Sequence, residues 1–239
     1  MLDPLMVTSP ARSPDITGGT GLDGLALRRR RRRRAEPRTR ALPREVSYHG
    51  PMFAGHFDFT HPLVWTVDDV LDAATCDELR ARVERGPWLD ATINRAEGRA
   101  VDRTVRNNQL VLVDDAPLAA TLLARLRPRL PEQLMRMTLS GIKERMRCYR
   151  YRVGEYFAPH GDQSYPGGPG ERSLLTLMIY LNDDFVGGQT AFLELDQVIT
   201  PVRGRALLFQ HMVLHEGRAV TEGTKYVLRS DVFYRALAG

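Results

Sequence analysis

The stretch Ser173–Leu181 (Ser-Leu-Leu-Thr-Leu-Met-Ile-Tyr-Leu) constrains this chain more than any other. It is apolar almost without a break, as in a strand buried on both faces. Other short runs, divided by turn signals, surround it. Met146–Tyr151 alternates in polarity and Gly154 follows. Gly187-Gly188 precedes Gln189–Leu195, Arg203-Gly204 precedes Ala206–Phe209, and Lys225–Tyr234 closes the pattern. Runs of strand length with turns about every ten residues predict a sandwich or jelly roll over 141–239.

Residues 46–140 read as a helical support region for that core. Asp72-Ala-Ala-Thr75-Cys-Asp-Glu78 looks like a helix start. Thr75 and Glu78 have the spacing of a capping box, and Leu79 and Val83 follow at i, i+4. Gly86-Pro87 stops this helix. Asp114-Asp115-Ala116-Pro117 opens a second one, with leucines at 118, 122, 123, 126 and 130, which Pro128 bends or ends. The predicted class is α+β and mainly β, with a helical layer in front of the sheets. Both helices read as packing elements.

Charge separates the amino-terminal part from the rest. Residues 1–45 hold 11 of the 34 basic and 5 of the 29 acidic residues, leaving 46–239 with a net charge of −1. The tail contains the run Arg28–Arg34, and repelling like charges predict a disordered segment. Such a run binds polyanions non-specifically, so it is weak support for a nucleic-acid function, and the body lacks the cationic excess of a duplex-binding face. No stretch is long and apolar enough for a membrane helix. Two cysteines, Cys76 and Cys148, exclude a disulfide scaffold and a cysteine-rich zinc module, and the chain is read as cytoplasmic.

Chemistry concentrates in the histidines. His160-Gly161-Asp162 places an imidazole and a carboxylate on one side of an extended segment. His215, far downstream, can supply a third ligand. Two histidines and one carboxylate leave open positions opposite, which is the facial triad of non-haem iron(II) oxygenases. His211 and His215 also show an H-x-x-x-H spacing that would suit zinc on a helix. The preceding Ala206–Phe209 reads as strand, so His211 is assigned to the pocket wall or to a supporting position. His49, His56 and His61 default to packing or solvent-facing roles.

The flanking residues resemble the iron(II)- and 2-oxoglutarate-dependent dioxygenases, in the prolyl 4-hydroxylase-like branch. The resemblance covers roughly residues 145–236. It rests on Arg150–Asp162, on Thr176 through Asn182, on Gly187-Gly188-Gln-Thr190-Ala-Phe192, on His215 and on Lys225, in that order. It implies a double-stranded β-helix, or jelly roll, with iron(II) held by His160, Asp162 and His215. It also implies 2-oxoglutarate and dioxygen as co-substrates, hydroxylation of an unactivated C–H bond, and release of succinate and carbon dioxide. L-ascorbate is implied as an auxiliary. Lys225 is expected to pair with the far carboxylate of 2-oxoglutarate, with Arg229 as its rival, because both lie on one strand face. Arg229 is alternatively a buried partner of Asp231 or Glu194. Tyr151 is expected to hydrogen-bond the co-substrate, with Tyr149 as competitor, and Thr176 to offer it a hydroxyl.

The expected partner is a peptide, a protein or a small molecule, with prolyl residues as the family-level substrate. Arg106 and Arg172 are candidates for a substrate channel, with structural ion pairing as the default. Cys148 reads as a buried apolar filler. The Gly/Pro-rich segment Gln163–Arg172 reads as a lid over the metal mouth. Two other functions remain open: a non-catalytic metal- or ligand-binding member of the same fold, and a nucleic-acid demethylase.

Overall fold

The computed structural model describes residues 56–236, apart from Glu97. The 1–45 tail, its Arg28–Arg34 run, the 45/46 boundary and His49 lie outside the described residues.

The strands in chain order are β1 (Val64–Val67), β2 (Leu89–Asp90), β3 (Ile93–Arg95), β4 (Gly98–Ala100), β5 (Gln109–Asp114), β6 (Gln133–Leu134) and β7 (Met137–Ile142). Then come β8 (Arg145–Tyr151), β9 (Phe157–His160), β10 (Glu171–Tyr180), β11 (Val186–Gly187) and β12 (Thr190–Phe192). The last are β13 (Gln197–Ile199), β14 (Ala206–Gln210), β15 (His215–Gly217), β16 (Val220–Glu222) and β17 (Lys225–Ala236). The helices are α1 (Ala73–Glu84) and α2 (Ala116–Leu126).

A nine-stranded major sheet runs β1-β14-β10-β17-β8-β5-β2, with β7 also on β17 and β6 on β7. A four-stranded minor sheet runs β13-β12-β15-β9. The named strands pair antiparallel throughout. This is a mainly β architecture of the jelly-roll kind.

Side-chain alternation explains the apolar run Ser173–Leu181. Leu175, Leu177 and Ile179 of β10 join Met146 and Cys148 of β8 and Leu228 of β17 in one cluster. α1 adds Cys76, Leu79 and Val83 to it, and α2 adds Ala119, Leu122 and Leu126. The opposite faces of β10 and β17 contribute Tyr180 and Val227 to a second cluster, with Phe192 of the minor sheet. β10 is thus covered on both sides, with Ser173 and Thr176 as buried polar groups among its apolar ones.

Two local expectations change. α1 is capped by Asp72, whose side chain accepts the Thr75 N–H at 2.8 Å. The helix therefore begins ahead of Thr75, because a carboxylate already satisfies the first-turn donor. The region before residue 140 also holds seven strands, not helices alone. Gln109–Asp114 is one, and it pairs with β8 along its whole length. Its alternation is short, and the partner that fixes it lies far along the chain. α2 does start at Asp115, which accepts the Leu118 N–H at 2.9 Å, and Pro128 falls just past its end.

No helix among the described residues is long and apolar enough to cross a membrane. Leu122 is fully buried between α2 and the major sheet. Leu122→Ala should lower stability by about 2–5 kcal/mol, read from the midpoint of urea unfolding.

Candidate metal centre

Strand register brings the two histidines together. β9 and β15 pair so that His160 stands directly opposite His215. Their ring centroids are 4.2 Å apart. Each ring is oriented by its own backbone: His160 Nδ1 donates to the Ala158 carbonyl at 2.8 Å, and His215 Nδ1 to that of Val213 at 2.9 Å. A carbonyl can only accept, so both Nδ1 atoms carry the proton and both Nε2 lone pairs are left for a metal. Burial keeps the rings neutral. It pulls His160 down to about 3, reinforced by His215, and it also lowers His215.

Asp162 completes the group just beyond the end of β9. Its carboxylate oxygens lie 3.9 Å from His160 Nε2 and 3.9 Å from His215 Nε2. One ligand atom from each of the three residues falls within 4.8 Å of the others. The glycine between His160 and Asp162 has a steric reason. A Cβ on Gly161 would stand 3.2 Å from the Met212 carbonyl oxygen, in the turn that leads to His215. The Met212 N–H also donates to the Asp162 carbonyl at 2.9 Å, which ties the two ligand-bearing segments together.

Burial disfavours ionisation of Asp162, yet the Arg229 guanidinium holds its carboxyl well below the usual range. Arg229 Nη2 lies 2.9 Å from Asp162 Oδ2 and 3.3 Å from Asp231 Oδ1. Thr176 Oγ1 donates to Asp162 Oδ2 at 2.7 Å. The structure therefore places Arg229 and Thr176 on the Asp162 carboxylate, and it gives Arg229 the expected alternative partner Asp231. The reason is parity: Thr176, Arg229 and Asp231 face inward from β10 and β17 at neighbouring positions, where Asp162 enters.

His211 belongs to the same network. Because Thr176 gives its proton to Asp162, it accepts from His211 Nδ1 at 3.1 Å. Nε2 of His211 then accepts from Ser173 Oγ at 2.9 Å, and Ser173 Oγ accepts the Tyr165 N–H at 2.9 Å. A chain of one polarity runs from the β9–β10 loop to the metal-facing carboxylate. His211 and His215 flank a turn, not a helix, so they do not share a zinc-type face.

Lys225 sits on the same strand face as Arg229 but in different company. It is 2% exposed, and its Nζ donates to the Gly188 carbonyl at 2.6 Å. It lies 5.1 Å from the Tyr151 ring centroid and 5.5 Å from that of Tyr180. No carboxylate pairs with it among the described residues, and burial lowers it to about 7. Tyr151 stands opposite Lys225 in register, while Tyr149 lies further along β8, under Arg106. Gly188 adopts φ +65°, and a Cβ there would press on Lys225 Cδ at 3.1 Å. The Gly-Gly pair thus makes room for the lysine and turns a carbonyl toward it.

A cavity of about 530 Å³ reaches His160, Asp162, His215, Lys225 and Arg229 from outside. Arg106 and Arg172 lack the expected ion pairs: neither has a carboxylate partner among the described residues. Arg172 Nε donates to Ser164 Oγ at 2.9 Å, inside the 163–172 segment. Cys148 is wholly buried and unpaired in a disulfide, with burial raising its thiol to about 12. Sequence reasoning missed Ser173, the Gly188 carbonyl and Phe157, which stacks on His160 with centroids 3.5 Å apart. Phe157 gave no signal in the sequence, since a spacing of three on a regular strand points it away from His160, and only the register shift in the β9–β15 pairing brings the rings together.

Residues 146–230 match the family model described as the 2OG-Fe(II) oxygenase superfamily. The match covers about a third of this chain and takes in His160, Asp162 and His215. A protein of Acanthamoeba polyphaga mimivirus named "Putative prolyl 4-hydroxylase" is 30% identical over 102 residues, covering 35% of this chain and 42% of that protein. The chain thus spans less than half the length of the curated relative it matches. Among solved structures, the viral collagen prolyl hydroxylase of Paramecium Bursaria Chlorella virus-1, in its 2OG complex, superposes with TM-score 0.56 at 21% identity, over 74% of this chain and 98% of that one. A Trichoplax adhaerens prolyl hydroxylase, solved with a hypoxia inducible factor peptide fragment, gives TM-score 0.55 at 19% identity, over 72% and 83%. A Pseudomonas putida prolyl-4-hydroxylase gives 0.54 at 17%, over 74% and 94%. At these identities the likeness is one of fold.

The His211 chain makes a prediction of its own. His211→Ala removes the donor that holds Thr176 on Asp162. It should weaken cobalt(II) binding by about 10- to 100-fold, measured by the visible d–d absorption of the titrated protein.

Proposed function

We propose that this protein is an iron(II)- and 2-oxoglutarate-dependent dioxygenase that hydroxylates an unactivated C–H bond, with a prolyl residue of a peptide or protein as the leading substrate. The observation that carries the reading is an ammonium group buried without a carboxylate in the cavity that also holds a two-histidine, one-carboxylate cluster. Burying a charge alone is costly, so the unpartnered amine loses its proton readily, and an anionic ligand would keep it charged.

The donor set suits the proposed metal. Imidazole nitrogen and carboxylate oxygen are both good ligands for iron(II), and three on one side leave open positions. His160 and His215 present their lone pairs, and Asp162, kept ionised by Arg229, contributes the anion. Lys225 would hold the far carboxylate of 2-oxoglutarate, with Tyr151 alongside. When bound, iron(II) and 2-oxoglutarate supply the activation of dioxygen, with 2-oxoglutarate leaving as succinate and carbon dioxide. The protein's part is to fix the ligand directions, neutralise the co-substrate and exclude water. Phe192, Phe209 and Phe157 surround the two imidazoles with apolar rings that serve the last purpose. Ascorbate belongs to the proposal as an auxiliary reductant.

Anaerobic protein with iron(II) and 2-oxoglutarate should show a weak visible charge-transfer band, and His160→Ala should abolish it. With proline-containing peptides and air, succinate should form alongside a 16 Da gain, the mass of one oxygen atom. A protein that gives neither band nor succinate does not have this function.

Lys225 sets the pH dependence. The ionisable groups that face it across the strands are the phenols of Tyr151 on β8 and Tyr180 on β10, both raised by burial. Neither phenol ionises near neutrality, so the lysine alone titrates there. Its folded pKa of about 7 lies below the unfolded value, so the co-substrate must bind the protonated form and raise it. Affinity for 2-oxoglutarate should be level below pH 7 and fall by about tenfold per unit above it. Lys225→Arg should flatten this profile, because a guanidinium stays charged. Titration of the charge-transfer band from pH 6 to 9 measures both.

A further inference from the structure

We propose that Arg106 receives a carboxylate of the primary substrate, so that the substrate is an acidic peptide. The inference rests on the function proposed above and names the substrate class for the same cavity.

Arg106 is placed by the strand that carries a metal ligand. It bridges Phe157 of β9, and the adjoining Val105 carbonyl accepts the Ala158 N–H at 2.8 Å. Asn107 Oδ1 accepts the Tyr156 N–H at 2.8 Å, which locks the same segment. The guanidinium stacks over the Phe157 ring at 3.9 Å, and Phe157 stacks on His160. Arg106 is therefore two stacked layers from the metal position, and it lines the cavity.

Its bonding is incomplete. Tyr149 lies 4.8 Å from the guanidinium carbon, Nε donates to Asn108 Oδ1 at 3.0 Å, and the guanidinium also acts on the Tyr151 hydroxyl. Nη2 is screened from solvent and has no hydrogen-bond partner. Arg106 is 5% exposed. Aromatic stacking satisfies the faces of a guanidinium and leaves its in-plane N–H groups wanting an acceptor. A carboxylate oxygen is the acceptor that suits the open Nη2, because a charge-assisted bond is the strongest it can make.

Most other charges of the cavity have partners, and Arg99, which also lines it, is exposed to solvent where Arg106 is buried. Arg229 faces Asp162 and Asp231, and Arg147 lies 3.9 Å from Asp231. Asp90 is taken by Arg103 at 2.7 Å. The two carboxylates of 2-oxoglutarate go to the metal and to Lys225 in the proposed function, so neither remains for Arg106. The anion it lacks has to arrive with the substrate. Leu89 and Leu112, both about half exposed, give the cavity mouth an apolar wall suited to a peptide.

The test uses protein loaded with iron(II) and 2-oxoglutarate without oxygen. Peptide binding is measured by saturation-transfer NMR. The probes are N-acetylated pentapeptides with central proline, flanked by glutamate or by the isosteric glutamine, each as C-terminal acid and as amide. Acid-bearing peptides should bind at least about tenfold tighter than their neutral isosteres. The glutamate–glutamine pair reports a side-chain carboxylate and the acid–amide pair a chain terminus. Arg106→Gln should bring the ratio to about one, and Arg106→Lys should restore part of it. Equal binding of acidic and neutral probes by the native protein overturns the proposal, as does a ratio that Arg106→Gln leaves unchanged. The charge-transfer band in the same samples separates the two readings. A band without acid preference sinks the anion site alone, and an acid preference without a band sinks the dioxygenase.

Discussion

The structure turns on one buried carboxylate. Asp162 has to be ionised to serve as a ligand, yet it sits among aromatic rings and imidazoles where ionisation is costly. Arg229 removes that cost at 2.9 Å, and Thr176 adds a donor at 2.7 Å. These partners come from the major sheet, whereas His160 and His215 come from the minor one. The ligand set therefore exists only while the two sheets face each other. Asp231 balances the arginine from below, so the interior holds alternating charges and not a lone pair.

Three buried cations of the cavity show how surroundings assign different work to similar side chains. Arg229 is matched by carboxylates and is fixed in charge and position. Lys225 has only the Gly188 carbonyl and two tyrosine rings near it, so its proton is held weakly. Arg106 has ring faces and an amide but no anion. A matched cation supports what is already present, and an unmatched one has capacity for a ligand. The spacing of Lys225 and Arg229 on one strand gives no hint of this difference.

The chain from Tyr165 through Ser173, His211 and Thr176 joins the segment between β9 and β10 to Asp162. Each hydroxyl or imidazole in it accepts on one side and donates on the other, so reversing one member reverses the rest. Such a chain fixes which Asp162 oxygen stays free to meet a metal. The 163–172 segment, read from its glycines and prolines as a lid, is pinned by Ser164 Oγ on the Ser173 carbonyl and by the Gly167 N–H on that of Glu171.

The sequence by itself determined the strand-rich core, the doubly buried strand at Ser173–Leu181, the second helix and its cap, and the three residues that converge on one point. These were legible because alternation, turn residues and ligand types are local properties of the chain. It did not determine that Asp72 caps the first helix, that Gln109–Asp114 extends the major sheet, or that Thr176 and Arg229 both meet Asp162. Those outcomes were decided by tertiary structure. Strand parity says which residues share a face, but only the register between strands distant in sequence says which charge meets which. In a low-dielectric interior that meeting decides whether a cation is spent or still open to a ligand.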